Sequence, residues 1–176
     1  MIYAAFLRGV NVGGRQAPSA RLKAVFEGAG FSGVRTVLAS GNVRFESPET
    51  DPDKVKTIAE DALREGLGYE VTVQVRTLDE LRTIISEDPF RDVKITPDTR
   101  LYVSFYAKKP RGELPIPYVS EDGGIRVLKQ TGSEVYGVVT LSPQTGTTDY
   151  MALVDREYGK GVTTRNWNTL LKLAGN

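Results

Sequence analysis

Three short stretches gather the residues best suited to holding an anion. The first is "LRGVNVGGR", Leu7 to Arg15. Gly9, Gly13 and Gly14 suit a loop that turns backbone N–H groups toward a phosphate, and Arg8, Asn11 and Arg15 add donors. The same glycines equally suit a tight turn that needs positive φ. The second stretch is "ASGNVRF", where Ser40, Gly41 and Asn42 are ordinary hairpin-turn residues with polar side chains. The third is "VTTRNWNTLLKLAG", Val162 to Gly175. There Thr163 or Thr164 suits a helix N-cap, which puts Arg165 in the first helical turn. A cation at that end opposes the helix dipole, and a broken local rule without compensation hints at function. Thr164, Arg165, Asn166 and Asn168 beside free backbone N–H groups would make an anion cradle. The competing reading pairs Arg165 with a carboxylate and ties both asparagines to backbone.

Composition limits the chemistry. The chain has 176 residues with neither cysteine nor histidine. Thiolate catalysis, disulfides and Cys or His metal ligation are therefore excluded. An enzyme built from this chain would need Asp, Glu, Lys or Tyr as acid or base, and Asp149, Lys172 and Tyr3 are the available groups. No carboxylate cluster has metal-site spacing. Neither G-x-G-x-x-G nor G-K-[ST] occurs, so the sequence names no cofactor. Formal net charge is +1, but it is unevenly spread. Residues 1–45 carry net +5, residues 46–90 net −7 and residues 91–176 net +3. A basic region facing an anion fits that distribution. The start lacks the basic and long apolar runs of a signal peptide, and no stretch approaches the ~20 apolar residues of a membrane span. A cytoplasmic protein without membrane contact is expected.

The positioning elements follow from periodicity. Ile2 to Leu7 is apolar on both phases and reads as a central strand. A helix is expected from about Pro18 to Ala29, with Leu22, Val25, Phe26 and Ala29 inward. Val34–Ala39 and Val43–Phe45 form a hairpin around Ser40-Gly41-Asn42. Asp51-Pro52 opens a second helix with Val55, Ile58, Ala59, Ala62 and Leu63 inward. "VTVQVRT" is a strand with Val71, Val73 and Val75 on one face. This β-α-β-β-α-β order is the split βαβ, or ferredoxin-like, pattern. An RNA-recognition sheet shares it, but Phe45 stands alone on its strand and Tyr3 is the sole aromatic on the exposed phase of the first strand. Base stacking is not expected there.

Thr77-Leu78-Asp79-Glu80 reads as a capping box for a third helix ending at Asp88-Pro89. "RLYVSFYAK" alternates as a strand, "KPRGELPIPY" reads as irregular, and a second hairpin turns at Thr131-Gly132-Ser133. Two helices close the chain, about Thr147–Tyr158 and Thr163–Ala174. Trp167, Leu170, Leu171 and Ala174 form the inward stripe of the last, with Arg165, Asn168, Thr169 and Lys172 opposite. The five tyrosines Tyr102, Tyr106, Tyr136, Tyr150 and Tyr158 read as amphipathic core.

"AFLRGVNVGG", "VRTVLASGNVRFES" and "VTTRNWNTLLKLA", in that order, resemble the domain-of-unknown-function 1697 family of bacterial proteins. The weakest fit lies between about Lys108 and Gly124, where the family pattern has a helix. The resemblance implies an α+β protein of two packed ferredoxin-like halves with antiparallel sheets, the second incomplete or irregular. Residues 1–76 and 77–176 are the expected domains. It implies no established activity. The residues point to binding of a phosphate-bearing ligand, a nucleotide or nucleic acid, through Arg8, Asn11, Gly13, Gly14, Arg15, Ser40, Asn42, Thr164, Arg165, Asn166 and Asn168. An enzyme on a small anionic substrate and a protein-interaction module are the alternatives.

Overall fold

The computed structural model describes residues 1–107 and 114–175. It is an α+β protein with two antiparallel sheets, of four and five strands, and five helices among the described residues. The chain divides into two compact units, Met1–Thr83 with Leu171–Asn176, and Ile84–Leu170.

In the first unit, β1 (Ile2–Arg8) is flanked by β3 (Asn42–Glu46) and β4 (Thr72–Thr77), with β2 (Ser32–Thr36) outside β3. Tyr3, Ala5 and Leu7 on one face of β1 join Phe45, Val73 and Val75 in a core. Helices α1 (Ser19–Gly28) and α2 (Pro52–Leu67) add Leu22, Phe26, Val55, Ala59 and Leu63 to that core. Phe45 packs 4.5 Å from Phe31 and 5.1 Å from Phe26, centroid to centroid. Tyr3 stacks on Phe45 at 5.8 Å and is wholly buried, so the aromatic expected on an exposed phase is a core residue. The helices cover the phase that carries Tyr3, and a single strand's alternation does not say which phase they choose.

Local signals set the helix ends. Asp51 Oδ1 accepts from Asp53 N (3.0 Å), Pro52 opens α2, and Gly68 closes it at φ 80°. Pro18 stands one residue before α1 rather than inside it. Glu80 Oε2 accepts from Thr77 N (2.6 Å) and Glu80 N donates to Thr77 Oγ1 (3.1 Å), the reciprocal capping box that starts α3 (Leu78–Glu87).

The second unit is built on a sheet in the order β6-β7-β8-β5-β9. Its strands are β5 (Thr99–Phe105), β6 (Tyr118–Val119), β7 (Ile125–Gln130), β8 (Glu134–Thr140) and β9 (Thr163–Asn166). The irregular connection expected at residues 109–118 lies partly on 108–113, outside the described residues. Beyond it, β6 and a turn lead into β7 with no helix between residues 114 and 124. Helix α4 (Thr147–Tyr158) lays Tyr150 on the sheet, stacked on Tyr102 at 5.2 Å, and Tyr158 lies 5.1 Å from Tyr106. A Cβ on Gly137 would lie 2.3 Å from the Tyr150 ring, so that strand position needs a glycine for α4 to seat.

The chain's end corrects the expectation of a helix from Thr163. Thr163–Asn166 is strand β9, pairing Thr164 with Ser104 and Arg165 with Val103 of β5. Helix α5 begins only at Trp167 and runs to Ala174. Two β-branched threonines suit a strand, and pairing satisfies the edge of β5. The late start also shifts the buried stripe. Trp167, Leu170 and Leu173 are buried, while Leu171 is 41% exposed.

Gly137→Ala should cost on the order of 1–3 kcal/mol by forcing Tyr150 off the sheet, read by urea unfolding. Tyr150→Phe should be neutral or mildly stabilising, because the buried hydroxyl makes no hydrogen bond. The β6–β7 turn gives a pH test. Ser120 Oγ, then Thr145 Oγ1 and Gly124 N, donate to Asp122 and hold its carboxyl down from 3.8 to about 2. A lowered pKa means the stabilisation is whole above 3.8 and fades as pH falls toward about 2. Asp122→Asn should remove that acid-side loss from a melting-temperature profile.

Candidate functional site

The glycine-rich loop and the hairpin turn meet in the first unit. Asn11, at φ 54°, fastens them together. Its Nδ2 donates to Ala39 O (3.0 Å), and its Oδ1 accepts from Ala17 N (2.8 Å). Leu7 N donates to Gly41 O (2.8 Å). A Cβ on Gly41 would lie 2.6 Å from Val10 Cγ2, so glycine lets the two segments touch. Asn42 lies in β3, fully buried, and its Nδ2 donates to Val37 O (3.0 Å) and Ser40 Oγ (2.9 Å). Ser40 and Asn42 thus close the hairpin loop from inside.

Residues 11–16 and 38–40 are exposed. Gly13 and Gly14, at φ 58° and 81°, have open space where a Cβ would point. The Arg15 guanidinium sits 4.8 Å above the Tyr69 ring, a contact that steers an exposed cation without neutralising it. Arg8 ends β1, half-buried and engaged with other groups of the protein. Val12 and Leu38 are exposed by 56% and 48%, and Leu38 holds φ 59°, a conformation bulky side chains rarely adopt. Tyr69, Val12 and Leu38 were not expected in this group. Exposed valine and leucine within the loop strings were the available signal.

Thr164, Arg165, Asn166 and Asn168 belong to β9 and the start of α5. Thr164 Oγ1 and Ser104 Oγ are 2.6 Å apart across the β9–β5 pair. Asn166 Oδ1 accepts from Asn168 N (3.1 Å) and so caps α5, the role expected of Thr163 or Thr164. Thr163 Oγ1 is instead buried without a hydrogen-bond partner. Arg165 is a strand residue, half-buried, with Nη1 donating to Thr164 O (2.9 Å) and further partners. Burial pulls the pKa of its guanidinium down from the usual arginine range to about 10, so it is still charged at neutral pH. It therefore does not stand at a helix N-terminus against the dipole.

Two of the acid–base groups named for an enzyme, Tyr3 and Asp149, hold structural hydrogen bonds. Tyr3 Oη donates to Glu49 O (2.9 Å), and burial raises its pKa above 10.0. Asp149 Oδ2 accepts from Gly146 N (2.7 Å) at the start of α4. Lys172 is exposed on α5.

Residues 1–136 match the model of the family described as "Protein of unknown function (DUF1697)". The chain belongs to that family. The match takes in the Leu7–Arg15 loop, the Ser40–Asn42 turn and strands through the β7–β8 hairpin. No curated protein gave a match. Among solved structures, the fold is similar to that of the conserved bacterial protein SP0830 from Streptococcus pneumoniae. The TM-score is 0.69 at 18% identity, over 98% of this chain and 96% of that one. At that identity the likeness concerns the fold alone. No helix among the described residues is long and apolar enough to cross a membrane.

Asn42→Ala should cost on the order of 1–3 kcal/mol, because it removes the fully buried amide whose two hydrogen bonds, to Val37 O and Ser40 Oγ, close the hairpin loop. Asn11→Ala should show a comparable loss together with faster hydrogen exchange at Ala17 N. Unfolding in urea and amide exchange by NMR read the two effects.

Proposed function

We propose that the protein binds a phosphate-bearing polymer, a nucleic acid, along the joined loops 9–17 and 37–41, and that both units are ferredoxin-like halves. Two strand orders support the architecture: β2-β3-β1-β4 in one sheet, and β7-β8-β5-β9 within the other. Each equals the 2-3-1-4 order of a split βαβ sheet when the strands of the unit are counted in chain order and the two-residue β6 is left out. The observation that carries the binding reading is the open face of the loops. Asn11 fixes two exposed segments to one another, and they present Gly13, Gly14 and Arg15 to solvent. A small nucleotide is ordinarily held in a concave pocket, whereas an extended strand needs an open, preformed edge with a cation. Asn11, Ser40 and Asn42 then act by holding the loop shape, while Arg15 and the Gly13–Gly14 amides meet phosphate. Thr164, Arg165, Asn166 and Asn168 serve the β9–α5 junction in this reading.

The exposed Val12 and Leu38 favour a second reading, a protein-interaction surface on the same loops. Fluorescence anisotropy with short RNA and DNA, run over a series of salt concentrations, separates the two. Binding should weaken linearly in log–log form with salt, and Arg15→Ala should lower the slope by about 1. Val12→Ser should change it little. Absence of binding to either nucleic acid, or an unchanged slope in Arg15→Ala, would overturn the nucleic-acid reading.

A further inference from the structure

The other end of β1 carries a second feature, independent of the loops. Arg35 of β2 and Arg44 of β3 stand directly opposite each other across the strand pair. Like charges in that position repel, and natural sheets avoid them without a counter-charge. A register irregularity between Ser32 and Arg35, with Gly33 at φ 57°, brings Arg35 into this place. The two arginines line a cleft of about 260 Å³ together with Ile2, Gly33, Phe45 and Glu46.

The charges in the cleft are not spent on each other. Arg44 Nη1 donates to Leu173 O (3.2 Å) and Gly175 O (2.6 Å), which closes the carbonyl end of α5. Those bonds fix the guanidinium plane and leave its Nε and Nη2 donors unused among the described residues. Arg35 and Glu46, both exposed, make no ion pair or hydrogen bond with any described side chain. Glu46 Oε1 lies 3.1 Å from where a Cβ on Gly33 would sit, so its carboxylate lies over the glycine that forms one wall. The cleft thus presents two cations, Arg35 and Arg44, one anion, Glu46, and an apolar residue, Ile2, opposite Glu46 on the neighbouring strand.

A multiply charged phosphate would meet the Glu46 carboxylate as well as the arginines. A molecule with a carboxylate and an ammonium group satisfies all three charges. We propose that this cleft binds a small zwitterion of the amino-acid class, with its carboxylate on Arg35 and Arg44, its ammonium on Glu46, and an aliphatic side chain against Ile2. The volume, below that of drug-sized sites, suits a ligand of this size. The cleft and the loops are separated by the length of β1, roughly 20 Å for seven residues, so neither site stands or falls with the other.

NMR titration of the full chain tests it, following the Gly33 amide and the Arg35 and Arg44 Nε–H signals. The probes are L-leucine, N-acetyl-L-leucine, L-leucine methyl ester and inorganic phosphate. L-leucine should give saturable shifts at those signals, with a Kd on the order of millimolar. Blocking either the amine or the carboxylate should weaken binding about tenfold, and Arg35→Gln and Glu46→Gln should do the same. Both substituted side chains are exposed, and unchanged thermal unfolding of the two variants confirms that only the site is altered. An absent response to L-leucine, an equal response in Arg35→Gln, or N-acetyl-L-leucine and phosphate binding as well as L-leucine would overturn the assignment.

Discussion

Strand β1 is the member on which the first unit is assembled. Tyr3, Ala4, Ala5, Phe6 and Leu7 are all withdrawn from water, and the strand is hydrogen-bonded on both edges. A fully buried strand has no solvent face to absorb a register slip, so its pairing is set once for every neighbour. Ala4 faces Arg44 on one side and Arg76 on the other, and Phe6 faces Asn42 and Gln74. The polar residues of the flanking strands are thereby aligned in rows across the sheet. The two ends of the strand then become the places where polar backbone and charge emerge. Beyond Arg8 the chain leaves the sheet as the exposed loop that Asn11 pins to the hairpin. At Ile2 the flanking strands leave the Arg35–Arg44–Glu46 cleft.

The second unit solves a related packing problem with a different device. Its sheet accepts a helix bearing a full tyrosine, and the room comes from the missing side chain of Gly137. Tyr102 and Tyr150 stack face to face, while Tyr102 Oη lies 3.0 Å from Thr147 Oγ1, so its polar end reaches a partner. Tyr150 Oη does not, which leaves burial of the ring to outweigh an unmade hydrogen bond. Burial raises the Tyr158 hydroxyl to about 12 in the same way, while its proton goes to Gln130 Oε1 (2.8 Å). These hydroxyls are aromatic core residues with polar tips, not acids or bases tuned for neutral pH.

Elements governed by interactions within a few residues were legible before any coordinates. The Thr77–Glu80 capping box, the Asp51-Pro52 start, the Gly68 stop and the bounds of α4 all follow from side-chain caps or glycine backbone freedom within a few residues. The hairpin at Thr131–Ser133 was legible for the same reason. The candidate site was legible in part. The loop and the turn were singled out as strings, and they do adjoin in the first unit. Their polar residues, however, divide differently from what residue type alone implies. Asn11, Ser40 and Asn42 spend their side chains on the protein, and Arg15 keeps its charge in the open above Tyr69. An asparagine in a loop has the same chemistry whether it meets a ligand or a carbonyl; only its neighbours in space decide.

The sequence by itself determined the class of structure, the local caps and turns, and the exclusion of thiol and imidazole chemistry. Those are properties of residue type and short-range spacing, which need no partner from elsewhere in the chain. Tertiary structure alone decided that Thr163–Asn166 would be a strand. The deciding partner, β5, lies some sixty positions earlier, and the edge of a sheet is stronger than a weak capping preference. It also decided that Tyr3 would be buried and that Arg35 would face Arg44. Each of these depends on which phase of a strand is covered and on one irregular pairing near Gly33. Such long-range choices leave no mark in the local pattern, because alternation along a strand is the same for either face.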